Sequence, residues 1–452
     1  MSGFYEPLFR HVLFPFYEST LRRRKTLRYL DAYERNQWLP PEQMAALQWR
    51  KLKRLVEHCW REVPYYRRRW QEIGATPDDI RTPADYARLP TLSKADIRAN
   101  FQDLHASNAG RIEYKATGGS TGEPLRFGYT RESYERRMAV MWRGYRWAGA
   151  RMGQPTLYLW GGPLASQGWR QRAKDRLFHA AFARRMLDSF AMSESNIASY
   201  AAAINRHRPE IVVAYVGPLV RLAEWVLATK SDVHAPRAIV TGAEALLEHQ
   251  RDVIQRAFHA PVFNTYGCRE FMLIASECEH RQGLHINADQ LLLETVGGDN
   301  SGYSDVVITD LHNYGMPFVR YVNGDLAVPD DTACTCGRGL PRLKRVEGRK
   351  LDAIRTRAGS ILPGEFFPHM LKDIAGVIRF QVVQRSLDSL DLSIVRGDRF
   401  DSAAVDHIRR EISAVIGDGT RVDIHFVDAI PTLANGKFRV TISEIPASGA
   451  TS

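Results

Sequence analysis

Cysteine is scarce in this chain, with five residues in 452. Disulfide scaffolds carry many more in far shorter chains, so Cys59, Cys268, Cys278, Cys334 and Cys336 read as reduced thiols or metal ligands. Long apolar runs are missing too. The longest, Ile211 to Val220, is ten residues and holds Gly217 and Pro218, whereas a bilayer-spanning helix needs about 20. The opening Met-Ser-Gly-Phe-Tyr-Glu has neither the apolar core nor the cleavage signature of a secretory leader, and a cytoplasmic location is expected. Acids are outnumbered, 51 Asp and Glu against 62 Lys and Arg, for a net charge of +11. That excess suits an anionic partner (a nucleotide, coenzyme A, nucleic acid or a membrane surface) without choosing among them. Apolar content is not lacking: 44% apolar and 25% charged residues exclude a disordered chain, and the length predicts two or more domains.

What the chain has in concentration is a loop. Thr117-Gly-Gly-Ser-Thr-Gly122 sets three glycines and three hydroxyls in six residues, between the flanks Glu113 to Ala116 and Glu123 to Tyr129. Glycines let backbone N–H groups converge on an anion without Cβ obstruction, and Thr117, Ser120 and Thr121 add hydroxyl donors. A Walker loop would need Gly-Lys-Ser/Thr and then a helix. Here Glu123, Pro124 and a strand-like Leu125 to Tyr129 follow, so the loop is expected at the tip of a hairpin.

The first 75 residues interleave arginine with aromatics, and Gln43 to Trp60 carries apolar residues at helical spacing. Such a segment suits nucleic acid or lipid headgroups, although a solvated helix face with ring stems on the core is the favoured reading. Ser93 is placed as the N-cap of Lys94 to Asn100. From Arg131 onward helical stretches alternate with strands at Thr156 to Trp160, Ile211 to Tyr215, Arg237 to Thr241 and Val262 to Thr265. The expected fold is α/β: a large N-terminal region with mostly parallel sheets covered by helices, and a smaller mobile α+β C-terminal domain. In such sheets ligands lie at strand carboxyl ends, where Gly242-Ala243-Glu244 and Gly267 to Glu270 stand. Glu270 is a plausible magnesium ligand. Met316 to Asp325 reads as an apolar strand ending in Gly-Asp, and Gly436-Lys437 as a turn near the C-terminus.

Cys278 and His285, with Cys334 and Cys336, form a candidate Cys3His zinc site, with His280 able to replace His285. Two short clusters of thiolate and imidazole match zinc's tetrahedral demand, and four protein ligands make the role structural.

These pieces, in this order, resemble the adenylate-forming superfamily of acyl-CoA synthetases, and within it the phenylacetate-CoA ligase branch with its capsular-polysaccharide relatives. The similarity runs from about Gln43 to Ile445. It implies a large domain, 1–347, with a zinc-binding insertion at about 278–336, and a small domain, 348–452, carrying the catalytic lysine. Thr117, Gly118, Gly119, Ser120, Thr121 and Gly122 resemble the phosphate loop, and Tyr266 to Glu270 the adenine and magnesium motif. Arg320 to Asp325 resembles the ribose motif, Gly348-Arg349 the hinge and Lys437 the catalytic lysine. The resemblance implies that Gly242, Ala243, Glu244, Asn264, Tyr266, Gly267, Asp325 and Arg349 contact the nucleotide, with Glu270 and Lys437 catalytic.

The implied reaction is ATP-dependent activation of a carboxylic acid as an acyl-adenylate, with magnesium, then transfer to CoA. A carrier-protein thiol, an amine or a sugar as acceptor is the alternative, and a non-catalytic basic binding protein is a remote one. No nucleic acid is expected as partner, while peripheral membrane contact through the basic aromatic N-terminus and a homodimer stay open. Leu159 to Pro163, Tyr215 to Pro218 and Cys268 to Phe271 are candidate segments for the acid pocket. The chain departs from the branch at Glu123, Arg269, Val322, Asn323 and Leu351.

Overall fold

The computed structural model describes residues 2–117, 125–161, 169–297, 304–347, 354–356, 361–362, 366–371, 374–397, 399–417, 420–430 and 440–445. Its backbone is an eleven-stranded sheet running, from one edge to the other, Leu291–Val296, Ser304–Asp310, Tyr321–Asp330, Arg342–Glu347, Leu284–Ile286, Met272–Glu277, Val262–Cys268, Ala238–Gly242, Ile211–Tyr215, Thr156–Trp160 and Arg184–Asp188. The last five strands are parallel and give the α/β class. From Val262–Cys268 toward the other edge every pairing is antiparallel.

The parallel strands are buried on both faces: Ile211–Tyr215 and Ala238–Gly242 are buried throughout. Such strands read as continuous apolar runs because the crossover helices cover both sides. Helices Ile197–His207, Val216–Thr229 and Glu248–Phe258 cover one face through Ile204, Leu219, Leu222, Ile254 and Phe258, and Ala148 and Ala150 pack on the other against Ile211, Val213, Ala238 and Val240. A second core forms where Leu52, Leu55, Val56 and Cys59 of helix Pro41–Glu62 meet Ile274, Ile308, Met316 and Tyr321. The Ser93 cap is present as a full capping box with Asp96, on a helix from Lys94 to Ala99.

Toward the C-terminus a four-stranded sheet, ordered Arg421–Phe426, Ser389–Arg396, Val377–Ser386 and Thr441–Ser443, packs against helix Ser402–Ile416. Its core includes Phe366, Phe380, Leu392 and Ile408, and also Tyr215 from the end of a strand of the large sheet and Phe190 from just beyond another.

Candidate active site

The glycine-rich loop springs from a hairpin as expected: Ile112–Ala116 pairs antiparallel with Arg126–Thr130. Thr117 closes its base. The Thr117 N–H donates to the Leu125 carbonyl at 2.9 Å, and the Leu125 N–H donates to Thr117 Oγ1 at 3.0 Å. The hydroxyl thereby accepts with its oxygen and keeps its proton for donation. Gly118, Gly119, Ser120, Thr121 and Gly122 lie outside the described residues, as do Arg349 and Lys437.

The adenine-type motif sits on the tight hairpin between Val262–Cys268 and Met272–Glu277. The register slips between Tyr266 and Gly267, and a Cβ on Gly267 would lie 2.0 Å from the Met272 carbonyl oxygen, so only glycine fits. The close approach presents Arg269 and Glu270 at the tip. Glu270 is buried and accepts from the Tyr321 hydroxyl at 3.0 Å. Burial, with the Glu270 carboxylate nearby, pushes the Cys268 thiol well above its ordinary value.

The strand expected to end in Gly324-Asp325 instead starts at Tyr321 and continues to Asp330. The pairing with Ser304–Asp310 shifts register at this place: Asp305 faces Leu326 while Val307 faces Val322. Gly324 takes φ +90°, so the strand bulges where the sequence signalled a stop. The bulge brings Asn323 and Asp325 to Tyr266. The Tyr266 hydroxyl donates to Asp325 Oδ2 at 2.9 Å, and Asn323 Nδ2 donates to the Tyr266 oxygen at 2.7 Å and to Asp325 Oδ2 at 2.6 Å. Asn323, a departure from the branch pattern, thus cross-links the two motifs.

The structure also brings out Arg269, which appeared in the sequence only as a departure. Its guanidinium donates to the Ala116 carbonyl at 2.8 Å, at the root of the glycine-rich loop. An exposed arginine with one N–H on a carbonyl retains further donors for an anion. No local signal in the sequence links residues 116 and 269; the hairpin geometry does.

Glu244 is engaged elsewhere: its carboxylate accepts from the Gly217 N–H, bridging two strand ends, and Ala243 before it takes φ +69°. Burial raises the Glu244 carboxyl above its ordinary value, against the Gly217 hydrogen bond. The Asn264 N–H donates to Glu277 at 2.7 Å. Of the acid-pocket segments, Trp160 and Tyr215 lie with ring centroids 4.1 Å apart. A Cβ on Gly161 would come within 2.7 Å of Phe190, so ring walls close on the backbone there. Cys268 to Phe271 lies on the adjoining hairpin, and Pro163 is outside the described residues.

The four residues of the candidate metal site lie together. Ligand atoms of Cys278, His285, Cys334 and Cys336 all lie within 4.8 Å of one another. Sγ of Cys278 and Cys334 are 3.7 Å apart, and Cys336 Sγ is 3.4 Å from His285 Nε2. A tetrahedron with metal–sulfur bonds of about 2.3 Å has edges of about 3.8 Å, so the donors already stand at ligand spacing. His280 turns aside to Thr335 Oγ1, 2.9 Å away. Burial pushes His285 down to about 4, leaving the neutral imidazole a metal requires. Burial likewise raises the Cys278 thiol to about 12, whereas at Cys336 the Arg338 N–H and guanidinium outweigh burial and lower it.

Known structures share this architecture. 2-Hydroxyisobutyryl-CoA ligase, solved with 2-HIB-AMP and CoA, superposes with a TM-score of 0.59 at 21% identity, covering 91% of this chain and 92% of its own. The chain therefore shares the fold of this CoA ligase. By sequence it is similar to phenylacetate-CoA ligases and to CapK. It is 29% identical over 368 residues to "Phenylacetate-coenzyme A ligase" of Thermus thermophilus, which spans 78% of this chain and 81% of that one. It is 24% identical to "Protein CapK" of Staphylococcus aureus, over 80% and 81%. Residues 354–444 match the CapK C-terminal domain family.

Proposed function

We propose that this chain is an AMP-forming acid–thiol ligase, which activates a carboxylic acid with ATP as an acyl-adenylate, releases pyrophosphate and passes the acyl group to CoA. The observation that carries this reading is the joining of Tyr266 to Asp325 at 2.9 Å, next to a hairpin whose Arg269 holds the root of the glycine-rich loop. Segments far apart in the chain thereby meet, and relatives named as CoA ligases match most of the chain.

In the first half-reaction a carboxylate oxygen attacks the α-phosphorus as the bond to pyrophosphate breaks. Two anions must meet, so catalysis is positioning and charge neutralisation. Thr117, Ser120 and Thr121 orient the β and γ phosphates, and Asp325 accepts from the ribose hydroxyls. Tyr266, Gly242, Asn264 and Gly267 border the nucleoside, while Glu244 holds the Gly217 turn in place. Lys437 bridges the attacking carboxylate and the nucleotide. Glu270 would hold a magnesium ion, which would offset phosphate charge; its carboxylate, oriented by the Tyr321 hydroxyl, is the hard oxygen donor that this ion takes.

The large part, 1–347, binds nucleotide and acid; the small part, 348–452, pivots near Arg349, withdraws Lys437 and admits the CoA thiol, which displaces AMP. Cys278, His285, Cys334 and Cys336 would hold a zinc ion in a structural role, since four protein donors leave no open position.

Carboxylate-dependent ATP–pyrophosphate exchange, run over aromatic, fatty, amino and sugar acids and followed by CoA as acceptor, tests this reading. One acid class is expected to support exchange, and Lys437→Ala to reduce it at least about a hundredfold. Folded protein that exchanges with none of them would be a binding protein instead.

A further inference from the structure

The N-terminal segment carries a feature that this reaction does not use. Residues 2–21 are helical, with wide π-type turns at Phe9–Leu13 and Phe16–Leu21. Where hydrogen bonds run from i to i+5, residues four to five apart share a side. Phe9, Phe14 and Glu18 face inward, Phe9 and Phe14 against Phe182 at ring separations of 5.0 and 5.7 Å. Phe4, Val12, Phe16 and Leu21 follow the same spacing on another side and are exposed by 78, 54, 53 and 63%. On the neighbouring helix Trp169–Ala181, Leu177 is 72% exposed, and the Phe178 ring packs tilted on Phe182 with centroids 4.5 Å apart. So many large apolar side chains are not left in water by accident of packing alone.

Charge on this face is mainly positive, although Asp175 of the neighbouring helix, which accepts from the Gln171 amide, stands between Lys174 and Arg176 in the chain. Both acids of the segment are engaged internally, Glu6 by Arg10 and Arg151, and Glu18 by Arg24 and the Thr26 hydroxyl. Arg22, Arg23, Lys174 and Arg176 have no carboxylate partner among the described residues. Behind the segment lies a cavity of about 170 Å³, walled by Phe14, Tyr17 and Phe178, with Arg22, Arg24 and Arg184 also lining it. Among the described residues no helix is long and apolar enough to cross a membrane, so any contact made by this helix is peripheral.

We propose that this apolar and cationic face docks the protein on a bilayer rich in anionic phospholipid. Phe4, Val12, Phe16 and Leu21 enter the boundary of headgroups and acyl chains, and the arginines meet the phosphates. A second copy of the chain fits less well. A two-fold interface would gather two sets of the same arginines into one patch and double its positive charge.

Sedimentation of the full chain with sucrose-loaded vesicles tests this. Partition into vesicles containing phosphatidylglycerol should exceed that into pure phosphatidylcholine by about tenfold or more, and fall as salt rises. Arg22→Glu with Arg23→Glu should abolish the preference, and Val12→Glu with Phe16→Glu the binding, with pyrophosphate exchange and thermal midpoint unchanged. Should a glutamate variant unfold, Phe16→Trp gives an independent readout: its fluorescence should shift to the blue and be quenched by brominated lipid only with anionic vesicles. Equal partition into both vesicle types, no partition into either, or a solution dimer that Phe16→Glu dissociates would each overturn the proposal.

Discussion

Arg269 shows what a single side chain changes here. A glycine-rich loop gains by cationic help for pyrophosphate, yet Glu123 adds a negative charge to its sequence. Arg269, fixed by its 2.8 Å bond to the Ala116 carbonyl, brings a positive one back to the same root. Burial, with the positive charges of Arg137 and Arg269, holds the neighbouring Lys115 below its ordinary value. A charge-assisted hydrogen bond is worth about 1.5–3 kcal/mol. Arg269→Ser should therefore raise the KM for ATP roughly 10- to 100-fold while leaving the KM for the acid nearly unchanged, as steady-state kinetics would register. A parallel rise in both constants would mean that the residue only holds the hairpin.

Among the elements, the two loops that carry the thiols behave as one unit. Cys278 follows strand Met272–Glu277, which shares its hairpin with Glu270, while Cys334 and Cys336 follow the ribose-motif strand Tyr321–Asp330. A metal joining them fixes the spacing of the two motif strands at their far ends. Cys336→Ser is expected to lower bound zinc from one equivalent toward zero, measured by metal analysis, and to drop the thermal midpoint. Removing zinc with a chelator should reproduce the drop in the native chain and have little further effect on the variant. Unchanged zinc content in Cys336→Ser would refute the ligand set.

Across the whole molecule, the N-terminal helices are held to the sheet by a buried charged knot. Arg143 and Asp289 are fully buried and 2.8 Å apart, and the same guanidinium donates to the Tyr33 carbonyl at 2.9 Å and to Asn287 Oδ1 at 2.6 Å. Tyr33 also bonds to Gln290. Leaving one member of such a pair without its partner costs about 3–5 kcal/mol. Arg143→Met should reduce the unfolding free energy by about that amount in a denaturant titration, because Asp289 would remain buried without its cation. A loss under about 1 kcal/mol would show that water reaches the knot.

Local physics made much of this molecule legible in the sequence. Strands Thr156–Trp160 and Ile211–Tyr215 have the bounds that their apolar runs set, the Ser93 box caps its helix, and the glycine-rich loop is a hairpin tip because Pro124 and a strand follow it. Thiol and imidazole chemistry was enough to pick the four metal-ligand candidates. Other features depended on residues meeting across the fold. The continuation of strand Tyr321–Asp330 through Gly324 depends on Ser304–Asp310 offering a partner that tolerates a bulge. The choice of His285 over His280, the Arg269 link to Ala116, and the exposure of Phe16 beside a buried Phe14 were likewise decided by packing. Periodicity and residue chemistry act over a few neighbours and are written in the chain, whereas contacts between residues over a hundred positions apart exist only once the sheet has closed around them.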